Sequence, residues 1–599
     1  MRFGPGDAGQ EGTIVNFDLR YVPFSRCGSY FAFSRMNRTD QRPAGLYLRT
    51  VHGDARVQEV FRIELIGPGG RRAFTESATA GRLRLEAGDA VAEVCIRSPG
   101  AVRFRVRNAS LRLTALPARQ FQAYAFPAGE RQWRVNSFPT RREYMLTALT
   151  GEMAVASPWP AGPPLTVRLS APATAPAEML LEEFLCARPT ALPTASFDAD
   201  VRAVEDDFAR FRAGMPAVPA KYAAPAELAA YVDWSCIVAA EGLLPTPAML
   251  MSKNWMTSVW SWDHCFNALA LAYGHSDLAW DQFMLFADSQ DPSGQFCDAI
   301  NDRLTVWNFC KPPVHGWTLR KLLAAGPSLR RRVREAYEPL RRWTEWWLAC
   351  RDDDGDGMPQ YNHGNDSGWD NATVFDVGPN VEGPDLAALL VVQMDVLAEV
   401  ADGLGKPRQG RQWRKRADEL LATLLSHCWR GDRFVAPRSG DHAVAGEGDC
   451  LLPYLPIVLG QRLPPGIRAR LIDGLLRKGR FLTRFGLASE SPRSPLYQRA
   501  GYWRGPIWAP PVLLICDGLT ECGQAPAARD LAERFCRLCA AGGFAENFDA
   551  TTGRPLCDRA YTWTASIFLI LAHEYLMKPP ATARRHSSGG IVSDTVHWP

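Results

Sequence analysis

From about residue 225 to residue 576, apolar residues recur with the period of a helix, and the connections between successive helical stretches alternate in length. Twelve stretches can be placed, near 225–241, 262–274, 276–289, 313–325, 329–351, 382–404, 408–428, 447–460, 464–474, 505–522, 525–541 and 561–576. Links after the even-numbered stretches are short, as in Gly326-Pro327-Ser328. Links after the odd-numbered stretches are long and carry Trp, Gly, Asp and Pro. A short link joins antiparallel neighbours at one end of a bundle, so the long links must gather at the other end. Six helical hairpins arranged this way predict an (α/α)6 barrel over 225–576, with one elaborated mouth.

The preceding part of the chain reads differently. Over 1–195, segments such as VRFRVRNASLRLTAL (102–116) and LTVRLSAP (165–172) alternate apolar and polar residues, the period of a half-buried strand, and Pro/Gly clusters separate them. An N-terminal β-sandwich-like domain is expected there. Residues 196–224 read as a helical, Pro-rich linker and 577–599 as a flexible tail, so the chain as a whole is mainly α. The net charge of +4 over 599 residues is too weak for a nucleic-acid partner. No run approaches the roughly 18 apolar residues of a membrane span, and the start has no apolar segment of the secretory type. A cytoplasmic setting is expected. The 15 cysteines are odd in number and scattered, and Cys536 and Cys539 read as buried thiols on one helix face.

The long links hold nearly every unusual residue, and 16 of the 19 tryptophans fall between Trp234 and Trp563. Indole suits stacking on sugar faces as well as core packing. The links offer no Ser-His-Asp arrangement, no HExxH and no phosphate-cradling glycine loop. Acid–base work by two carboxylates is the chemistry left, as in glycoside cleavage, where one carboxylic acid protonates the leaving oxygen and a second carboxylate acts on the opposite face. Spacing alone does not choose the pair.

Four motifs, SVWSWDHCFNALA (258–270), GNDSGWDNA (364–372), YWRGPIW (502–508) and ENFDATTG (546–553), stand in the order seen in glycoside hydrolase family 63, and the chain resembles that family over about 250–570. The family includes processing α-glucosidases and mannosylglycerate hydrolases, and the trehalase family 37 is related to it. The resemblance implies an inverting mechanism with Asp370 as acid and Glu546 as base, their carboxyl groups roughly 6.5–9.5 Å apart. It further implies sugar contacts from Trp262, Asp263, Trp503 and Arg504, with Gln290, Lys311, Trp369, Trp508 and Trp563 as additional candidates. Asn371 and Asn547 are expected to orient the neighbouring acids. Phe548 and Ala550 depart from the commoner ENYDP-type string.

The segment DDDGDGM places Asp352, Asp354 and Asp356 at positions 1, 3 and 5 of a calcium-type loop, with Gly357 at 6. Position 12 is His363 rather than Glu, so a further carboxylate would be needed. A structural calcium there is the one ion expected, and no cofactor is required for the chemistry. The reading that results is an exo-acting α-glycosidase, with an α-glucoside favoured. An α-mannoside, mannosylglycerate or trehalose-type substrate is the alternative, as is a non-catalytic carbohydrate-binding protein. A phosphorylase is disfavoured by the base at Glu546, and a terpene cyclase by the polar mouth.

Overall fold

The computed structural model describes residues 17–40, 42–53, 57–116, 123–159, 162–186 and 192–577. The expected tail, apart from Met577, lies outside the described residues. Two eight-stranded antiparallel sheets occupy Phe24–Phe184. In spatial order the first runs Phe24–Ser25, Phe31–Met36, Gly45–Thr50, Glu59–Gly67, Ser110–Thr114, Thr166–Ser170 and Glu152–Ala156, with Gly70–Arg72 paired beside Glu59–Gly67. The second runs Tyr124–Gly129, Gln132–Ser137, Arg142–Thr150, Ala177–Phe184, Ala101–Arg107, Ala90–Ser98, Leu83–Ala87 and Thr75–Ala78. The sheets meet face to face through Phe33 and Phe104, whose ring centres are 6.2 Å apart, and through Phe31 and Tyr144 at 6.5 Å. This is sandwich packing, with alternate side chains interdigitating in the core.

Two of the three alternating arginines of VRFRVR do not face water. Arg103 and Arg105 are buried beneath helix α1 (Phe197–Ala213). The Arg105 guanidinium lies 4.2 Å from the centre of the Phe197 ring and pairs with Glu93 and Asp198, each at 2.7 Å. Arg103 pairs with Glu178 at 2.6 Å and Asp200 at 2.7 Å. The first turns of the expected linker are thus a cover for the second sheet, tied down by ion pairs.

Helical structure dominates from Arg210 onward. The helices are α2 (Ala223–Cys236), α3 (Asp263–Leu271), α4 (Ser276–Asp288), α5 (His315–Ala325), α6 (Pro327–Arg331), α7 (Val333–Cys350), α8 (Gly364–Ser367), α9 (Pro384–Gly403), α10 (Pro407–Cys428), α11 (Pro465–Leu476), α12 (Ala509–Glu521), α13 (Ala525–Gly542) and α14 (Thr562–Leu571). Several begin on proline at the first helical position, where the missing N–H has no intrahelical partner to lose. The stretch expected as one helix over 329–351 is broken at Arg332 into α6 and α7. The stretch expected over 447–460 is instead a 3₁₀ segment, Leu452–Arg462. Pro453 and Pro456 remove amide donors there, and Gly460 turns the chain at φ 53°.

Packing runs from element to element. α3 lies on α4 and α5, α5 on α9, α9 on α10 and on Leu452–Arg462, that segment on α11 and α12, α12 on α13 and α14, and α14 on α2 and back on α3. The long links bond to one another in the same sequence. Trp260 pairs with Ala299, joining the first link to the second. Lys311 Nζ donates to the Asn365 carbonyl at 2.6 Å, second to third. Val381 bridges to Arg438, third to fourth, and Cys450 bridges to Glu490. Trp508 pairs with Asn547, fifth to sixth. The Thr562 amide donates to the Met251 carbonyl at 2.9 Å, which brings the chain back to the first link. Among the described residues no helix is long and apolar enough to cross a membrane. All 15 cysteines are free, with Cys536 and Cys539 both buried in α13.

Candidate active site

Asp370 stands at the end of a tightly built turn. His363 caps the four-residue α8, its Nδ1 accepting from the Asn365 amide at 3.1 Å. Gly368 then takes a left-handed φ of 71°, and a Cβ at that position would sit 2.5 Å from the Trp262 ring. A Cβ on Gly364 would sit 2.0 Å from the Asp370 carbonyl oxygen. Both glycines of GNDSGWD are therefore fixed by close approach, and together they set Trp369 and Asp370 against the first link. Beneath them Asp366 is buried and accepts from the Cys310 amide at 3.0 Å, the Asn362 amide at 2.9 Å and Arg351 at 3.1 Å.

Glu546 enters from the sixth link. Its amide donates to the Asp558 carbonyl at 2.7 Å, and its Oε1 accepts from the Tyr502 hydroxyl at 2.9 Å. Tyr502 holds a left-handed backbone, φ 63°, uncommon for a bulky residue. The Trp508 indole donates to its carbonyl at 3.1 Å. Sequence reasoning named Trp503 and Arg504 in YWRGP but passed over this tyrosine.

The electrostatics join these groups into one centre. Burial pushes Glu546 up to about 7; the Tyr502 hydroxyl opposes that rise, while Asp558 and Asp370 add to it. Burial also raises Asp370, against the pull of the Lys311 ammonium. Asp263 rises well above the usual carboxylate range for the same reason, with Lys311 opposing and Asp298 and Asp370 adding. Lys311 is buried and pairs with Asp298 at 2.7 Å. Burial pulls it down, but Asp298 and Asp370 outweigh that and hold it above the ordinary lysine value. One cation thus serves several desolvated carboxyls, the environment in which carboxylic acids keep protons near neutral pH.

Five of the expected tryptophans meet in one buried cluster. Trp503 stacks on Trp508 with ring centres 3.9 Å apart, and Trp369 lies 4.5 Å from Trp503. Trp563 meets Trp508 at 5.8 Å and Trp262 at 5.7 Å, both edge-on, and Trp262 reaches Trp503 at 6.4 Å. Asp263 is the first residue of α3, and the N-cap position before it is Trp262, which makes no side-chain cap.

Other expected contacts are turned to different uses. The Arg504 guanidinium pairs with Asp376 on both sides and donates to the Asn371 carbonyl at 2.9 Å. Asn371 orients neither acid: its amide donates to the Gly501 carbonyl at 3.0 Å and accepts from the Trp503 amide at 2.9 Å, tying the third link to the fifth. Gln290 donates to the carbonyls of Gly294 and Pro339 at 2.8 and 3.0 Å, which anchors its loop on α7. The Asn547 amide bonds to neither carboxyl.

The acidic loop is drawn together, with Asp352, Asp354 and Asp356 each placing an oxygen near the others. Their oxygens also accept from amides of the loop itself, which leaves each carboxylate further lone pairs. Asp352 accepts from the Gly355 and Gly357 amides, Asp354 from the Asp356 and Gly440 amides, and Asp356 from the Met358 amide. His363, at position 12, is taken up in capping α8. The loop alone does not assemble the oxygen cage of a calcium site.

Residues 256–564 match the sequence pattern of the mannosylglycerate hydrolase MGH1-like glycoside hydrolase domain. The chain is 24% identical over 435 residues to a mannosylglycerate hydrolase of Rubrobacter radiotolerans, covering 55% of this chain and 96% of that one. It is 25% identical over 431 residues to a glucosylglycerate hydrolase of Mycolicibacterium hassiacum, covering 55% and 94%. A bacterial glucoamylase complexed with acarbose superposes with a TM-score of 0.62 at 11% identity, covering 95% of each chain. A family 63 mannosylglycerate hydrolase from Thermus thermophilus, in complex with Tris and D-glycerate, gives 0.51 at 20% identity, covering 58% of this chain and 99% of that one. These structures share the fold, sheets and helices alike in the first case.

Proposed function

The chain belongs to the mannosylglycerate hydrolase MGH1-like glycoside hydrolase family, and from that premise we propose that it removes a terminal α-linked hexose with inversion, Asp370 acting as acid and Glu546 as base. The observation that carries this reading is the shared desolvation of the two carboxyls: burial lifts Glu546 to about 7, with a smaller push from Asp370, and burial raises Asp370 as well. A desolvated site disfavours two charged carboxylates at once, so we assign the active form one proton between the two groups. We assign that proton to Asp370, the acid that the family resemblance implies, ready for the glycosidic oxygen, although burial by itself favours a proton on Glu546. Glu546 is left as the carboxylate that the Tyr502 hydroxyl favours, and it takes a proton from the attacking water. Oxygen-to-carbon attack from the face opposite the leaving group inverts the anomeric centre.

We read the helical unit as an (α/α)6 barrel. Its support is the cycle of packing from α3 through α5, α9, Leu452–Arg462, α12 and α14 back to α3. We infer an α-glucosyl or α-mannosyl unit on a small carboxylated aglycone. The relatives named mannosylglycerate and glucosylglycerate hydrolase support that choice, and it moves from the favoured general α-glucoside toward the mannosylglycerate-type alternative.

The test is NMR of the first-formed sugar, with α-mannosylglycerate, α-glucosylglycerate, trehalose and maltose as substrates. A β-anomer appearing first from one of the two hexosylglycerates is the expected result. An α-anomer appearing first would remove Glu546 from the role of base.

A further inference from the structure

The acidic loop points to a second centre, outside the catalytic one, built from residues of four different segments. Asp356 comes from the loop after α7, Glu382 from the residues that lead into α9, His427 from the last turn of α10, and His442 from the turn beyond it. One donor atom from each of these four side chains lies within 4.8 Å of the others. His427 stands between two acids, with Nε2 2.5 Å from Glu382 Oε2 and Nδ1 3.3 Å from Asp356 Oδ2. His442 Nε2 lies 3.3 Å from Asp354 and 3.5 Å from Asp356, and the two imidazole rings meet edge to face at 4.7 Å.

A further observation separates this cluster from an ordinary acidic turn. Glu382 is fully buried, and its Oε1 accepts no hydrogen bond. A buried carboxylate oxygen without a donor is expensive, and among the described residues no Lys or Arg forms an ion pair with Asp354, Asp356 or Glu382. His442 holds a left-handed φ of 52°, which histidine and asparagine both adopt more readily than most residues.

We propose that Asp356, Glu382, His427 and His442 form a four-ligand site for a borderline divalent transition-metal ion of the zinc class. Two imidazoles and two carboxylates match the donor preference and coordination number of that class, whereas calcium selects oxygen ligands alone. The ion would neutralise Glu382 and replace the imidazole–carboxylate contacts with bonds to one centre. It would also clamp the start of the link that carries Asp370 to α10. This is a structural role: no ligand of the site belongs to the catalytic group.

The test uses the full chain, stripped with chelator and titrated with Zn²⁺ and with Ca²⁺ by calorimetry and thermal unfolding. The expected result is one Zn²⁺ per chain, a rise in Tm on loading, and no binding of Ca²⁺ in the same concentration range. His442→Asn accepts the same backbone and should weaken Zn²⁺ at least ~10-fold, the lower end of what loss of metal-site groups does. Zinc-edge absorption of the loaded wild type should report two imidazole ligands. Binding of Ca²⁺ without Zn²⁺, undiminished Zn²⁺ affinity in His442→Asn, or a zinc spectrum without imidazole would each overturn the proposal. A sulfur ligand in that spectrum would overturn it too and redirect attention to the cluster of His264, Cys265 and His315.

Discussion

The sheet unit and the mouth of the helical unit both bury acids, and they treat them in opposite ways. In the sheets each buried carboxylate meets guanidinium. Glu93 is reached by Arg82, Arg84 and Arg105, and Glu64 by Arg62, Arg71 and Arg112. Burial pushes Glu64 up, but Arg112 and Arg62 outweigh it and hold the group below its ordinary value. In the mouth, Asp263, Asp298, Asp370 and Glu546 are raised by burial, with one lysine among them. A saturated ion network holds structure. A carboxyl excess in a desolvated site holds protons, which is what acid–base chemistry needs.

Substituting one acid in each place sharpens the contrast most. Asp370→Asn or Glu546→Gln should lower kcat/KM by ~10²-fold or more, with circular dichroism unchanged. Glu93→Gln should leave kcat/KM intact and instead lower stability by about 1–3 kcal/mol, because buried Arg105 loses one of its two acid partners and keeps Asp198. Stability against pH gives the same contrast a sign. A carboxyl lifted from 4.5 to about 7 on folding binds protons more tightly in the native state. Its contribution is present below pH 4.5 and is lost as pH rises through 7. Glu546→Gln should therefore be more stable than wild type at pH 8, on the order of a few kcal/mol at ~1.4 kcal/mol per pH unit, and should match it near pH 4. Equal stability at both pH values would mean that the site does not hold Glu546 raised.

Tyr502→Phe asks how the base stays usable in such a place. The phenol donates to Glu546 Oε1 and so favours the carboxylate. Without it Glu546 should hold its proton to higher pH, and the acid limb of kcat/KM should move upward. The loss should be about 10-fold near pH 6, the scale of a hydrogen bond to a charged group, and should shrink toward pH 8. A loss equal at all pH values would reduce Tyr502 to a packing residue.

These groups were legible in the sequence to unequal degrees. Apolar periodicity placed the helices, and link parity placed the long loops beside one another, because both follow from short-range geometry. The 3₁₀ segment at Leu452–Arg462 was missed although Pro453 and Pro456 announce it; the apolar run outweighed them. Choosing Asp370 and Glu546 among many acids required the family resemblance, since spacing does not encode which carboxyl is desolvated. Tyr502 escaped because its contact with Glu546 joins two links, and nothing local in YWRGP shows it. The same distance problem misdirected Arg504, whose partner Asp376 lies in the third link. It also hid His427 and His442, which belong to no local motif and come together with Asp356 only in the fold.

Gln290 marks the edge of the comparison, a polar residue in a mouth loop that the structure assigns to the scaffold. Its amide bridges the carbonyls of Gly294 and Pro339. Gln290→Ala should cost about 1 kcal/mol, the net worth of ordinary hydrogen bonds, read as a small fall in Tm. If the side chain serves only the loop, KM stays within twofold of wild type for the best hexosylglycerate. A KM rise of 10-fold with Tm unchanged would instead place Gln290 among the sugar contacts. The mouth would then recruit loop polar groups on binding substrate, and the division between groups that hold the fold and groups that meet the sugar would depend on the ligand.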